Sequence, residues 1–306
     1  MQQADKCTKL LITHIPGTFE VDTFFPAIPD YFQDKHGKYL ALMATLAVFV
    51  VYFGALVNQY IGGAKILAEI SGWEYVTALI ITASVILVYL FMGGFNAVVK
   101  TDAFQYILII ILPMILIYSL TSGVSVPLSH FNIWEAGYEN ILAFSFYGLF
   151  SVFIYAELWQ RAYAAKDEKT VRRAFNISGL SYILIGLFFT YIGLVARSAF
   201  PEADPDMAAV YSFTQLIPSS ILIITLILLF AVIMSSADTI LFVLAMNISQ
   251  DMLNRNRQLE KKRELLYTKI SIIGFSVVAV LISIIYPKMA DIVIVYVSIG
   301  IGLAPL

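Results

Sequence analysis

SSILIITLILLFAVIM, residues 219–234, contains no charged side chain and is followed at once by SSADTILF, residues 235–242. A helix needs about 20 apolar residues to cross roughly 30 Å of hydrocarbon. A charged side chain costs roughly 2.5–3.5 kcal/mol at the centre of an inserting helix. The first string belongs to an uncharged window, residues 207–237, that is long enough to predict a membrane-spanning helix. The second string places hydroxyl and carboxylate oxygens in the same apolar setting.

The composition extends this conclusion to the whole chain. Of its 306 residues, 60% are hydrophobic and 13% charged, against about 45–50% and about 25% in ordinary soluble domains. The mean hydropathy is +0.84, which argues against a soluble enzyme or a nucleic-acid binder, and the net charge of -2 gives no reason to expect a polyanion partner. Cys7 is the single cysteine, so an intrachain disulfide and a cysteine metal cluster are excluded.

Uncharged windows predict where the other spans lie. Seven are long enough for full helices and an eighth is cut short by the end of the chain, at residues 39–64, 75–99, 103–134, 140–156, 174–196, 207–237, 270–287 and 292–306. We therefore expect an all-α polytopic membrane protein. Its lead-in and first loop occupy residues 1–37, and its transmembrane domain of about eight helices occupies residues 38–306.

Lysine and arginine are distributed unevenly between alternate loops. One set of loops holds fifteen of them and the other set three, with Lys269 left at a helix start. Because positive residues concentrate on the cytoplasmic side, we predict a multi-pass protein of the cell membrane with a cytoplasmic N-terminus. The larger set is Lys6, Lys9, Lys35, Lys38, Lys100, Arg161, Lys166, Lys169, Arg172, Arg173, Arg255, Arg257, Lys261, Lys262 and Arg263; the smaller is Lys65, Arg197 and Lys288. The acidic stretch Glu202, Asp204 and Asp206 is then predicted to face outward.

The densest polar cluster within a span comprises Ser235, Ser236, Asp238 and Thr239. Ser235, Asp238 and Thr239 share one helix face, because they are spaced i, i+3 and i+4. Hydroxyl and carboxylate oxygens that converge in this way suit a hard cation such as sodium. Two interpretations stay open: an intramembrane cation site, or hydroxyls bonded back to helix carbonyls with the acid near the interface.

Two other acids lie at the edges of spans. Asp102 opens the third span, where a carboxylate complements the helix macrodipole. Glu157 follows Tyr155 in the fourth, where an unwound helix would expose polar groups to a solute. The alternative for Glu157 is an acid whose side chain extends to the cytoplasmic interface.

Four strings together resemble segments of the sodium:solute symporter family. They are IPDYFQDKHGKY (residues 28–39), GGFNAVVKTDAFQ (93–105), WQRAYAAKDEKTVRRA (159–174) and AVIMSSADTILFVLAMNISQDM (231–252). The second is similar to the family loop G-G-x-x-A-V-x-x-T-D-x-x-Q and is the most specific. Order and spacing fit the family from about residue 28 to residue 306.

The resemblance implies a LeuT-type fold, in which two inverted repeats of five helices enclose a site at the membrane midplane. Aligning the strings makes the predicted spans core helices three to ten, so the chain is expected to lack the first two core helices and to end within the tenth. The sixth core helix is discontinuous in this family. That match implies a solute region containing Tyr147, Tyr155 and Glu157.

The resemblance also implies ion ligands. Ser235 and Ser236 match the hydroxyl pair that binds the shared sodium ion, with the backbone of Val232 as a partner. In some members a second sodium is held by residues that match Asp102, Ser235, Asp238 and Thr239. Asp238 departs from the serine often found there, so it adds a negative charge that could tighten the cation site or hold a proton.

The function predicted is secondary active transport: sodium-coupled symport of a small organic solute by alternating access. Na+ is the coupling ion and the only metal expected, no organic cofactor is needed, and the partners are the solute and membrane lipid rather than nucleic acid. No enzymatic activity is expected. The alternatives are a passive channel and an inactive or partial transporter fragment.

Overall fold

The structure, a computed structural model, describes residues 37–121, 123–155, 167–246 and 261–303, together with the single residues 158, 165 and 248. Throughout these ranges the regular elements are helices, which confirms the predicted all-α class for this part of the chain. In chain order they are α1 (Lys38–Ser71), α2 (Tyr75–Thr121), α3 (Tyr138–Ile154), α4 (Glu168–Ala199), α5 (Ala208–Gln215), α6 (Ser219–Met246), α7 (Lys261–Ile285) and α8 (Met289–Leu303). Short 3-10 turns lie at Leu128–Phe131, Ile133–Ala136 and Pro205–Met207.

Several helices are long and apolar enough to cross a membrane. Three satisfy the requirement on their own within the described ranges: Glu168–Ala199, Ser219–Ala245 and Leu266–Ile285. Val48–Ser71 and Tyr75–Val88 form a bent pair with an angle of 118°. The chain is therefore a multi-pass membrane protein. The count is lower than the eight spans predicted, in part because α3 has 17 residues and α8 has 15, each short of full membrane thickness on a straight helix.

The largest difference from the sequence prediction is in α2. Helical backbone runs without interruption from Tyr75 to Thr121, where two spans separated by a loop at Lys100 were expected. Residues 95–104 contain no proline, and the preceding Gly93 and Gly94 cost only about 1 kcal/mol each relative to alanine, too little to end a helix by themselves. The two halves still contact different neighbours: the first packs on α1 and α7, and the second on α4 and α6.

The turn between α1 and α2 is set by Gly72. This residue has a φ of 69°, in the left-handed region that favours glycine, and its N–H donates to the carbonyl of Ala68 at 2.9 Å. At the start of α4, Asp167 is the N-cap residue, and its side chain accepts a hydrogen bond from the backbone N–H of Thr170 at 2.7 Å. Both ends satisfy backbone groups that the helices leave unpaired.

Helix α1 lies at the centre of the described structure and packs against α2, α6, α7 and α8. Tyr52, Leu56, Tyr60 and Ile61 of α1 are almost completely buried in this cluster. A second apolar cluster joins α4, α5 and the first half of α6. The polar residues described next therefore lie on helices that the packing holds together.

Candidate functional site

The predicted ion ligands on α2 and α6 contact each other. The Ser235 hydroxyl donates to Asp102 Oδ1 at 2.9 Å, across 133 positions of sequence. The Thr239 hydroxyl donates to the other oxygen, Oδ2, at a longer 3.5 Å. Asp102 therefore faces α6. It lies in the interior of α2, so the expectation that it stands at the start of a helix is wrong.

Asp238 lies on the same helix and is fully buried. Its Oδ1 accepts from the backbone N–H of Thr239 at 2.6 Å. Its Oδ2 has no hydrogen-bond partner among the described residues. The charged group that interacts with it is the carboxylate of Asp102, so two acids share this region of the α2–α6 contact.

Ser236 has a different environment from Ser235. Its hydroxyl donates to the carbonyl of Val232 at 3.4 Å, one turn earlier in α6. The bond is long for a hydroxyl donor. Both predicted ligand oxygens, the Ser236 hydroxyl and the Val232 carbonyl, are thus adjacent, in the arrangement that back-bonding to the helix also produces.

Gln105 was not identified from the sequence as a site residue. It lies one turn beyond Asp102 on α2, is 8% exposed, and its Oε1 has no hydrogen-bond partner in the described part of the chain. The signal was present in the TDAFQ string, where Gln105 is spaced i+3 from the aspartate and so shares its helix face.

The predicted solute region contains a pair of tyrosines. The hydroxyls of Tyr147 and Tyr155 are 2.7 Å apart and hydrogen-bonded. The Tyr155 ring packs edge-on against Tyr52 of α1, with 6.2 Å between ring centroids. Tyr155 directly follows the end of α3 at Ile154, where regular helix stops. Glu157, the third predicted member of this region, lies outside the described residues.

Two polar residues extend the tyrosine pair and were missed by the sequence analysis. Tyr296 of α8 lies close enough to interact electrostatically with both Tyr147 and Tyr155. Its hydroxyl is hydrogen-bonded to the side chain of Asn58 on α1. Asn58 Oδ1 has no partner among the described residues, so the amide nitrogen is the donor.

The chemistry of the two regions differs. The α2–α6 contact presents carboxylate, hydroxyl and carbonyl oxygens, which are the donors that hard cations prefer. The tyrosine region presents hydroxyls, one amide and aromatic faces, which suit a small polar organic molecule. Within the described residues no group of His, Cys, Asp and Glu side chains has the arrangement of a bound transition metal.

An all-helical membrane chain with polar side chains gathered from separate helices is typical of a membrane transporter. The chain matches the sodium:solute symporter family over residues 23–305, and it belongs to that family. Members of this family are transporters and not enzymes, in agreement with the class of function predicted from the sequence.

Named relatives show the same relationship. The chain is 29% identical to the sodium/pantothenate symporter of Haemophilus influenzae over 188 residues, covering 56% of this chain and 39% of the relative. It is 25% identical to the osmoregulated proline transporter OpuE of Bacillus subtilis over 281 residues, covering 84% of this chain and 56% of the relative. It is 24% identical to a sodium/proline symporter of Staphylococcus aureus over 287 residues, covering 84% and 55%. The chain thus spans between about two fifths and just over half of the length of these relatives.

Proposed function

We propose that this chain forms part of a sodium-coupled symporter that moves a small organic solute across the cell membrane by alternating access. The observation that carries the proposal is the hydrogen bond from Ser235 to Asp102, which brings ligand oxygens of two helices together. Family membership supports sodium as the coupling ion.

We assign the sodium site to the α2–α6 contact. Asp102 supplies an anionic oxygen, and Ser235 and Thr239 supply hydroxyls already directed at it. Asp238 adds a second carboxylate with one oxygen that no described residue occupies. Ser236 and the Val232 carbonyl complete the proposed set one turn away. An entering sodium would replace its water shell with these oxygens and offset the cost of burying two acids near each other.

We assign the solute site to the tyrosine region. Tyr147 lies about two turns inside α3 and is bonded to Tyr155, which directly follows the end of the helix. Asn58 and Tyr296 approach from α1 and α8. Broken helices at the membrane midplane are where transporters of this architecture bind their cargo. The proposal therefore includes a LeuT-type core in which this chain supplies helices three to ten, with α2 covering the fourth and fifth, and with the N-terminus in the cytoplasm.

The candidate solutes come from the relatives' names. Proline and pantothenate both carry a carboxylate and polar groups that tyrosine hydroxyls and an asparagine amide can bind. Asn58 Oδ1, which lacks a partner among the described residues, is available to accept a hydrogen bond from an N–H or O–H of the solute. We expect one of these two compounds, or a close chemical relative, to be carried.

Uptake into proteoliposomes tests the proposal. The purified protein is reconstituted, and entry of labelled proline and pantothenate is followed under an inward sodium gradient, under a potassium gradient, and with sodium equal on both sides. A symporter accumulates solute above its external concentration only with the sodium gradient. Uptake that is equally fast in all three conditions would identify a passive channel, and absence of any sodium-dependent flux or sodium binding would refute the proposed function.

A further inference from the structure

One carboxylate joins three separate elements on the predicted outer side of the protein. Asp206 lies in the 3-10 turn Pro205–Met207 between α4 and α5. Its Oδ2 accepts a hydrogen bond from Lys65 Nζ of α1 at 2.9 Å and another from the backbone N–H of Met289, the first residue of α8, at 2.7 Å. We call this set the Asp206 junction.

The junction is stronger than an ordinary surface ion pair. Only 14% of the Lys65 side chain and 14% of the Asp206 side chain are exposed, so water and salt screen the pair incompletely. By contrast, the Arg197–Glu135 pair on the same side leaves 52% and 42% of its side chains exposed. Asp206 also supplies negative charge at the N-terminal end of α8, where backbone N–H groups lack helical partners.

The ionisation of Asp206 fits this role. Burial on its own would raise the pKa of the carboxyl, but the hydrogen bonds from Lys65, Met289 and Ala290 and the positive charge of Lys65 outweigh burial and hold the pKa below its ordinary value. Its charged neighbours include Lys65 and Asp204, whose Oδ1 accepts from the backbone N–H of Asp206. The carboxylate is thus charged at neutral pH and keeps both bonds.

The junction also lies between an open space and the packed interior. A cavity of about 390 Å³ borders it and is lined by Lys65, Trp73, Tyr75 and Met207 among others. Behind it, α1 and α8 are in direct contact, since a Cβ placed on Gly62 would stand 3.5 Å from Met289 Cε. Movement of α8 away from α1 would expose this contact, and it would have to break the Asp206 junction first.

We propose that the Asp206 junction is an outer latch that holds α1, the α4–α5 connection and α8 together while the outer side of the transporter is closed. The proposal rests on the proposed function in one respect: alternating access requires that the outer side close and open in turn. Releasing Lys65 and Met289 from Asp206 frees α8 to separate from α1.

The test uses a single cysteine behind the latch. In a Cys7→Ser background, Gly62→Cys adds a Cβ 3.5 Å from Met289 Cε and so puts a thiol at the contact between α1 and α8. The rate of labelling by a membrane-impermeant maleimide, added to intact cells, is compared for the intact latch, for Asp206→Asn and for Lys65→Gln. Glu135→Gln is the matched control, because it removes an ion pair on the same side that does not join α1 to α8.

We expect both latch variants to be labelled at least about fivefold faster than the parent, in line with the lower end of ordinary conformational coupling, and the Glu135→Gln control to be labelled at the parent rate. Equal labelling rates in parent and latch variants of equal thermal stability would overturn the proposal, and so would an equal acceleration in the control. If Asp206→Asn fails to fold, Lys65→Gln decides the matter alone, because it leaves the Asp206–Met289 bond in place. Labelling requires no transport, so a latch that responds in a protein without sodium-driven uptake would leave this inference standing and refute the proposed function only.

Discussion

Gly54 of α1 lies directly against Tyr296 of α8. A Cβ built on the glycine would stand 2.7 Å from the Cβ of Tyr296, closer than real side chains approach. One turn further along α1, Asn58 bonds the hydroxyl of the same tyrosine. The missing side chain at position 54 therefore sets how closely α8 approaches α1, and with it the position of a hydroxyl in the proposed solute region.

Gly54→Ala should destabilise the protein, because the new methyl group meets the Cβ of Tyr296 rather than a mobile side-chain end. Overpacking of this kind costs about 1–3 kcal/mol. Gly274→Ala on α7 is the control, since a Cβ there meets no atom within 4 Å. Thermal unfolding in detergent should show a lower midpoint for Gly54→Ala and an unchanged or higher one for Gly274→Ala; equal midpoints would show that α1 and α8 are not in close contact.

Ser235→Ala should weaken sodium binding far more than Ser235→Thr, which keeps the hydroxyl. Loss of one oxygen ligand is expected to cost about 1–3 kcal/mol, or roughly 5- to 150-fold in affinity. The sodium concentration for half-maximal uptake, measured at matched expression, provides the comparison. The same pair of substitutions at Ser236 tests its place in the set. If the hydroxyl only bonds back to the helix, the Ala and Thr variants will have the same sodium dependence.

Asp102→Asn keeps the shape of the side chain and removes its charge. If Asp102 binds the coupling ion, the apparent sodium affinity should fall by roughly tenfold or more, the effect of losing about 1.4 kcal/mol. If it serves only to hold α2 against α6 through its hydrogen bonds, the sodium affinity should stay unaltered and the protein should merely lose a little stability. Sodium titration of uptake together with a thermal melt separates these outcomes.

Tyr147→Phe should weaken the apparent affinity for the solute and leave the sodium dependence of uptake unchanged. The change removes the hydroxyl that bonds Tyr155, and a lost hydrogen bond of about 0.5–1.5 kcal/mol would raise the solute concentration for half-maximal uptake by roughly 2- to 12-fold. Tyr106→Phe is the control, because its hydroxyl bonds Ser181 between α2 and α4, away from the tyrosine region. A shift of equal size in the control would show a general effect on packing.

The predicted topology places Arg172 and Lys262 in the cytoplasm and His130 and Pro205 outside. Single cysteines at these positions in a Cys7-free background can be probed with an impermeant thiol reagent on intact cells. Labelling is expected at positions 130 and 205 only. A labelled position 262 in sealed cells would reverse the orientation.

Much of the fold is predictable because insertion into a membrane depends on hydrophobicity, which is a property of each single residue. The uncharged windows at 174–196, 207–237 and 270–287 each fall within or across described helices. The boundary at Lys100 was not predicted correctly, since a lysine interrupts a hydrophobic window without interrupting hydrogen-bonded backbone. A charge-free window indicates where the chain can be buried in the membrane at low cost. The ends of helices depend instead on caps and tertiary contacts.

The site was predictable to a different extent in its two regions. Ser235, Asp238 and Thr239 are close in sequence, so helical spacing alone places them together, and the family resemblance added Asp102. Asn58 and Tyr296 belong to helices far apart in the chain, and which faces of α1 and α8 meet is decided by packing that no local pattern contains. The partner of Asp206 was hidden for the same reason, although Lys65 was correctly grouped with the acidic stretch on one side by the alternation of loops.

Lys65 Nζ and the Met289 N–H share a single acceptor atom, Oδ2 of Asp206. With a common oxygen, one rotation of the aspartate side chain withdraws the acceptor from both donors in the same movement. The contact between α1 and α8 at this end therefore depends on the position of one side-chain oxygen, which ties both helices to the α4–α5 connection at once.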